Sequence, residues 1–438
     1  MLKRSNFLGA CLCALIALVF LTAGCSKKDS PPVYTGPPTL TSLNAMTFHP
    51  GDTVRVSGKG LIAGTYIIGL FDSVNLNALQ TTDTSVIFVL PAASHFGFYG
   101  AASGDLSIQS PNVDQQWTIT IDVPEPHGWF AQYKMTYGLR PMFIPQLGIH
   151  IHFPSDSIGY FQDVYDGIFR STDGGNNWHI TSSNGFGYPN DLAVLDSNNL
   201  FSVGYTELIG TTNGGNSWTL EPLPSALTNT IGGASMLGPA TGLIMNTFGS
   251  VYSLAGSWDT TSATGLVREY TSIYSNDVLD WNSISAVDIG DCLIGGAMAL
   301  NYNSPVNADV VVKTNGIYDE YTLSTSLSSS ALLSVQLLNP TLGFAMDQQG
   351  HLLKYTGNRN WSSLNQAATA FLFLDANNGY TSSGGSIYQT TNGGQSWSSV
   401  FNLQPNQVVY NFTTHNGHVW GIGNDTTAGK GFIIKYNP

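Results

Sequence analysis

Eight residues, Ser171-Thr172-Asp173-Gly174-Gly175-Asn176-Asn177-Trp178, return with small changes at Thr211–Trp218 and again at Thr390–Trp397. Each copy follows a short apolar run (Ile168-Phe169-Arg170, Leu208-Ile209-Gly210, Ile387-Tyr388-Gln389) and ends in a tryptophan that opens another short strand. This is the chemistry of a hairpin turn. Asp or Asn before Gly-Gly supplies the positive φ values that a tight turn needs, and the Ser or Thr hydroxyl bonds nearby backbone groups. The tryptophans give the period: Trp178, Trp218 and Trp258 follow one another at 40 residues, and Trp361 and Trp397 lie 36 apart. Each interval is the length of one four-stranded unit. The 103 residues from Trp258 to Trp361 hold two units if Tyr321 takes the tryptophan place after a reduced turn, Thr314-Asn315-Gly316.

Laid out on this period, the innermost strands start near Ile149, Leu192, Ala234, Ile284, Leu333, Phe371 and Val408. The last segment, Gln407 to Tyr436, gives three strands and no closing turn. A fourth is expected from the segment between Trp129 and Ile144, joining the start of the region to its end and leaving no open sheet edge. The expected fold is all-β, with a β-propeller of seven blades, six and eight being the alternative counts. The repeat resembles the Asp-box (BNR) repeat, Ser/Thr-x-Asp-x-Gly-x-x-Trp, of sialidases, sortilin-type receptors and photosystem II assembly-factor propellers. The matching residues are Ser171, Asp173, Gly175 and Trp178; Thr211, Asn213, Gly215 and Trp218; and Thr390, Asn392, Gly394 and Trp397. Asn replaces Asp in the second and third copies. The resemblance implies a structural role for all twelve.

Ahead of this region lie two further segments. Lys3 and Arg4 precede an apolar run from Phe7 to Leu21, too short to span a bilayer, which reads as a signal peptide over residues 1–24. Leu21-Thr22-Ala23-Gly24-Cys25 resembles the lipobox of bacterial lipoproteins, which implies acylation of Cys25 and anchoring in a membrane. Ser26-Lys27-Lys28-Asp29 resembles export tags that carry lipoproteins to the outer face of the outer membrane, and residues 25–37 read as a proline-rich tether. Over 38–123, Gly51-Asp52-Thr53-Val54-Arg55-Val56-Ser57-Gly58-Lys59-Gly60 and the alternation in Trp117 to Val123 resemble an IPT/TIG domain, an immunoglobulin-like sandwich that implies a spacer. Pro124-Glu125-Pro126 breaks the chain, and 127–438 is the propeller region.

Composition restricts the partners. Loss of the leader removes Lys3 and Arg4 and no acid, taking the net charge from −13 to −15, so a nucleic-acid backbone would be repelled. Charged residues are 10% of the chain, below the ~25% of average domains. Once the leader is gone, Cys292 is the one cysteine besides Cys25, and it reads as a buried strand residue. A sialidase needs three arginines gripping a carboxylate, whereas this region offers Arg140, Arg170, Arg268 and Arg359, two of them on or beside the repeated turns. His150 and His152 alternate on one strand near Asp156 without a third donor, so no metal and no cofactor is expected. Acidic pairs, Asp277/Asp280 and Asp288/Asp291, leave a carbohydrate-active hydrolase or lyase as the alternative to a binding or scaffold module, with an envelope assembly factor as a third reading.

The interval from Trp258 to Tyr321 is 63 residues, and its excess is expected in two loops on the face away from the repeated turns. One is the connection over about 259–282, with Arg268, Glu269, Tyr270, Tyr274 and Trp281; the other, over about 300–309, carries Tyr302 and Asn303. Rings beside amides and carboxylates suit a carbohydrate or protein partner, or else these rings pack into the core.

Overall fold

The computed structural model describes residues 34–62, 66–71, 74–96, 99–135, 139, 149–163, 167–182, 189–204, 208–221, 231–238, 241–255, 266–274, 278–299 and 306–438. The described residues form strands, turns and one short 3-10 helix, Ala93–His95. The signal, Cys25 and most of the tether lie outside them. Chain contacts separate two compact units: Thr53–Leu90 and Gly104–Thr118 with the chain up to Met46, and Thr47–Asp52 and Pro91–Ser103 with Ile119–Pro438.

Between Thr39 and Val123 the strands form a four-stranded and a five-stranded sheet. Val54, Val56, Val86 and Phe88 of one, and Ile68, Leu70, Leu106 and Ile108 of the other, are fully buried, and in Thr53–Lys59 buried and exposed positions alternate. That period of two is what a sheet with one dry face requires. Trp117 is half-buried.

Beyond residue 126 the described residues contain seven four-stranded antiparallel sheets. Six are meanders of consecutive strands: sheet one between residues 150 and 182, two between 189 and 221, three between 231 and 271, four between 278 and 322, five between 332 and 367, six between 370 and 402. Sheet seven takes three strands from 407–437 and its outermost from Gly128–Lys134, which runs antiparallel to Lys430–Asn437 with Trp129 opposite Tyr436. The segment expected to join the beginning of the region to its end does so.

Burial follows strand position. The second strand of sheet four, Asp291–Ala299, is buried at every residue, whereas the outer strand of sheet five, Trp361–Ala367, is half-buried or exposed throughout. A strand with sheets packed on both faces has no wet side, so its sequence is a run of small and apolar residues rather than an alternation. Apolar clusters fill each gap in turn. Tyr160 and Ile168 meet Leu200 and Ile209 between sheets one and two, Phe201 and Val203 meet Ile231 and Ile244 between two and three, and Met245 and Val251 meet Ile294 and Val311 between three and four. The succession continues through Leu293 and Leu332, Phe344 and Phe373, and Ile387 and Val419. It closes between sheets seven and one, where Trp420 and Ile433 pack on Ile151 and Phe161. Phe153 stacks on Trp420 at 3.9 Å between ring centres in this last gap.

The repeated turns join third and fourth strands, as at Ser171 between Gly167–Ser171 and His179–Ser182. Two sequence assignments change. In sheet four the turn is the two-residue pair Asn315 and Gly316, both with positive φ, and the outer strand starts at Ile317. Tyr321 therefore lies deep in its strand, unlike Trp361 at the start of its own, and its hydroxyl accepts the Trp361 indole N–H at 3.0 Å. In sheet three the outer strand is Leu266–Thr271, so Arg268, Glu269 and Tyr270 sit on a strand rather than in a connecting loop.

Candidate functional site

The innermost strands of the seven sheets are edge strands of separate sheets, with no backbone ladder from one to the next among the described residues. Their side chains bridge the gaps instead. The Asn190 amide donates to the Ile231 carbonyl at 2.7 Å, and the Asp191 carboxylate accepts the Ala234 N–H at 3.0 Å. Ser235 Oγ accepts the Ala286 N–H at 2.9 Å, and Ser283 and Ser285 accept the Val335 and Leu337 N–H groups at 3.1 and 3.0 Å. Gln336 bonds both backbone groups of Phe373, and Asn411 Oδ1 accepts the Ile151 N–H at 3.3 Å. Short polar side chains at these positions satisfy backbone groups that would otherwise be buried without partners.

These strands enclose a cavity of about 290 Å³ lined from all seven sheets. Its apolar lining includes Met236, Ile284, Val335, Phe371 and Phe412, and its polar lining His150, His152, Asp191, Asn282, Ser334 and Asn411. His150 Nε2 lies 2.9 Å from the Asn190 carbonyl and its Nδ1 3.5 Å from Asp191. Burial, and then the neighbouring His150, push the His152 pKa down to about 4, so that ring is neutral at physiological pH. The arrangement is a braced, concave space with a mainly polar exposed lining, about as large as the smallest ligand pockets.

The candidate residues of sheets three and four are placed differently from one another. Trp281 is 0% exposed and donates its indole N–H to Asp309 at 2.8 Å, so it is core rather than an accessible ring. Tyr270 stacks on Tyr318 at 4.4 Å, and Glu269 pairs with Lys313 and accepts the Tyr318 hydroxyl at 3.0 Å. Arg268 is exposed on its strand and Tyr274 half-buried. Tyr302, Asn303 and Asp277 lie outside the described residues. Burial here was hidden from sequence reasoning because the partners of Trp281 and Tyr270 come from strands 28 and 50 residues away.

The described arginines do not converge: Arg170 lies over the Tyr160 ring in sheet one, Arg268 is in sheet three, and Arg359 pairs with Asp319 beside sheet five. Asp288 accepts the Gly290 N–H within its own turn, and Asp291 accepts the N–H of Asn315 in the next turn but one of the same sheet. Asp156 lies in the bend after the strand of His150 and His152, where it accepts the Asn416 amide at 3.2 Å and sits 3.9 Å from His415. Among the described residues no three His, Cys, Asp or Glu side chains form a group that could hold a metal ion. Cys292 is fully buried, and burial pushes its thiol up to about 12. Of the channel-lining residues, His150 and His152 were singled out in the sequence, as a metal-ligand pair, and the rest were not, although the inner-strand positions that carry them were read to within a few residues.

No family model matches the sequence, and no curated protein matches it. The structure is similar to that of YCF48 bound to D1 peptide, with 14% identity and a TM-score of 0.53 over 72% of this chain and 96% of that one. YCF48 from Cyanidioschyzon merolae matches with 14% identity and a TM-score of 0.51, over 71% and 99%. An auxiliary nutrient binding protein from Bacteroides thetaiotaomicron matches with 11% identity and a TM-score of 0.41, over 92% and 97%. The first two show the fold, an all-β chain with a β-propeller.

Proposed function

We propose that this chain is a lipid-anchored surface binding protein whose seven-bladed Asp-box propeller receives part of a partner in its central channel, with an IPT/TIG-type immunoglobulin-like module as spacer. The observation that carries this reading is the cavity of about 290 Å³ whose lining strands are braced to their neighbours by side-chain-to-backbone bonds. Such a space is pre-formed, so a ligand pays little ordering cost on entry. Its volume suits one projecting side chain or one sugar ring rather than a large cofactor. The similar propeller described with a bound D1 peptide supports a protein segment as the partner; a carbohydrate is the second form of the reading.

Filling the channel tests it. Ser334 lines the cavity on the innermost strand Leu332–Asn339 of sheet five, and Ser334→Trp occupies the space. Peptide and glycan arrays probed with the wild-type protein identify a target. The filled variant is expected to bind that target at least tenfold more weakly, about 1.4 kcal/mol, with its melting temperature held. Undiminished binding by the folded variant would place the site on another surface.

A further inference from the structure

Between sheets three and four two carboxyl groups are buried side by side. Asp309, on the strand Asn307–Thr314, is 0% exposed, and Glu320, on Ile317–Thr322, is 6% exposed. Glu320 is rich in donors: its Oε2 accepts the Tyr270 hydroxyl at 2.9 Å and the Ile273 N–H at 2.7 Å, and its Oε1 accepts the Ser272 hydroxyl at 2.5 Å. Asp309 Oδ2 accepts the Trp281 indole N–H, while Oδ1, equally buried, meets no N–H or hydroxyl donor. Among the described residues, the titratable groups around Asp309 are Glu320 on the outer strand of its own sheet and Tyr270 on the facing strand of sheet three. Lys313, four residues along the Asp309 strand, is held by Glu269 and the Ile289 carbonyl.

A carboxyl with three donors is the ionised member of such a pair. Two adjacent anions without a cation would be costly in this setting, so the proton resides on Asp309 and is directed at Glu320. What Glu320 grips through Ser272 and Ile273 is the start of the connection from sheet three to sheet four, where Ile273 is exposed and Tyr274 half-buried. We propose that Asp309 and Glu320 form a proton-sharing latch that holds the connection at Ser272–Tyr274 while Asp309 is neutral and loosens it when Asp309 ionises. The latch is independent of what the propeller binds.

Burial, with the Glu320 charge adding to it against the indole hydrogen bond, pushes Asp309 up to about 7. An aspartate in an unfolded chain titrates near ~3.9. Between these values the folded protein holds a proton that the unfolded chain has released. The contribution to stability is thus fully present below about pH 4 and is lost as pH rises through about 7, within the folded protein releasing the latch at the same point.

Asp309→Asn tests this in the full chain, because the amide keeps an oxygen for Trp281 and a fixed donor for Glu320. Hydrogen exchange over residues 270–274 is compared between wild type and variant at the same pH, which cancels the intrinsic pH dependence of exchange. At about pH 5.5 the two are expected to match, and at about pH 8.5 the wild type is expected to exchange roughly tenfold faster, the effect of one pKa unit of coupling. Glu320→Gln, which removes the neighbouring charge, is expected to show no such step and serves if Asp309→Asn fails to fold. A wild-type segment whose protection relative to either variant is the same at both pH values overturns the latch.

Discussion

The hydroxyl that opens each repeated turn fixes its shape. Ser171 Oγ donates to Asp173 at 2.8 Å and accepts the Gly175 N–H at 2.9 Å, and Thr211 and Thr390 make the same two bonds with Asn213 and Gly215 and with Asn392 and Gly394. Gly174 and Gly175 take φ values of 72° and 99°, which a side chain would strain. The exchange of Asp for Asn is matched four residues on. Asp173 accepts the Asn177 amide at 2.7 Å, whereas Asn213 and Asn392 donate to the Ser217 and Ser396 hydroxyls at 2.7 and 2.8 Å. Ser171→Ala removes a buried donor and strands the Gly175 N–H, so urea unfolding is expected to show a loss of about 1–3 kcal/mol. Asn213→Asp, for which Ser217 becomes the donor, is expected to stay within about 0.5 kcal/mol of wild type. These turns were readable in the sequence because the hydroxyl and Asp or Asn bonds that shape them span at most four residues. The Asp309–Glu320 pair was not, since strand register alone brings the two together, Glu320 opposite Val311 and Asp309 opposite Thr322.

Among the strands, Gly128–Lys134 has the largest consequence for its length. Its pairing with Lys430–Asn437 joins residues some 300 positions apart and supplies the outer strand of sheet seven. A chain ending at Asn406 loses the other three strands of that sheet, and with them the buried side chains Trp420, Ile422, Phe432, Ile433 and Ile434. At roughly 1.5–3 kcal/mol each, their burial rivals the ~5–15 kcal/mol that holds a whole domain folded. The truncated chain is expected to lose its cooperative thermal transition in calorimetry; a transition at the native temperature would show that sheets one to six stand without closure. The need for this strand was legible because the final segment showed three strands and no closing turn. The outer strand of sheet three was misplaced for the opposite reason: Trp258 suggested a turn of ordinary length, but the third strand ends at Ala255 and the fourth begins at Leu266.

For the molecule as a whole, the anchoring read from Leu21–Cys25 remains a proposal that membrane partition can test. Acyl chains on Cys25 contribute ~0.8 kcal/mol per buried methylene, so Cys25→Ala is expected to move the protein from the membrane fraction to the soluble one. Retention of that variant with membranes, without uptake of labelled fatty acid by the wild type, would overturn it. An all-β chain, the three repeated turns and the approximate positions of the inner strands were determined by the sequence alone. Each depends on side-chain alternation or on bonds between near neighbours, and both are written directly into the order of residues. Only the tertiary structure decided that Trp281 is core, that the inner-strand serines and amides bridge sheets around a channel, and that two carboxyls meet beneath the Ser272–Tyr274 connection. Those facts arise where strand register and sheet packing bring together residues as many as 260 positions apart, and distance along the chain carries no record of which side chains will share a gap.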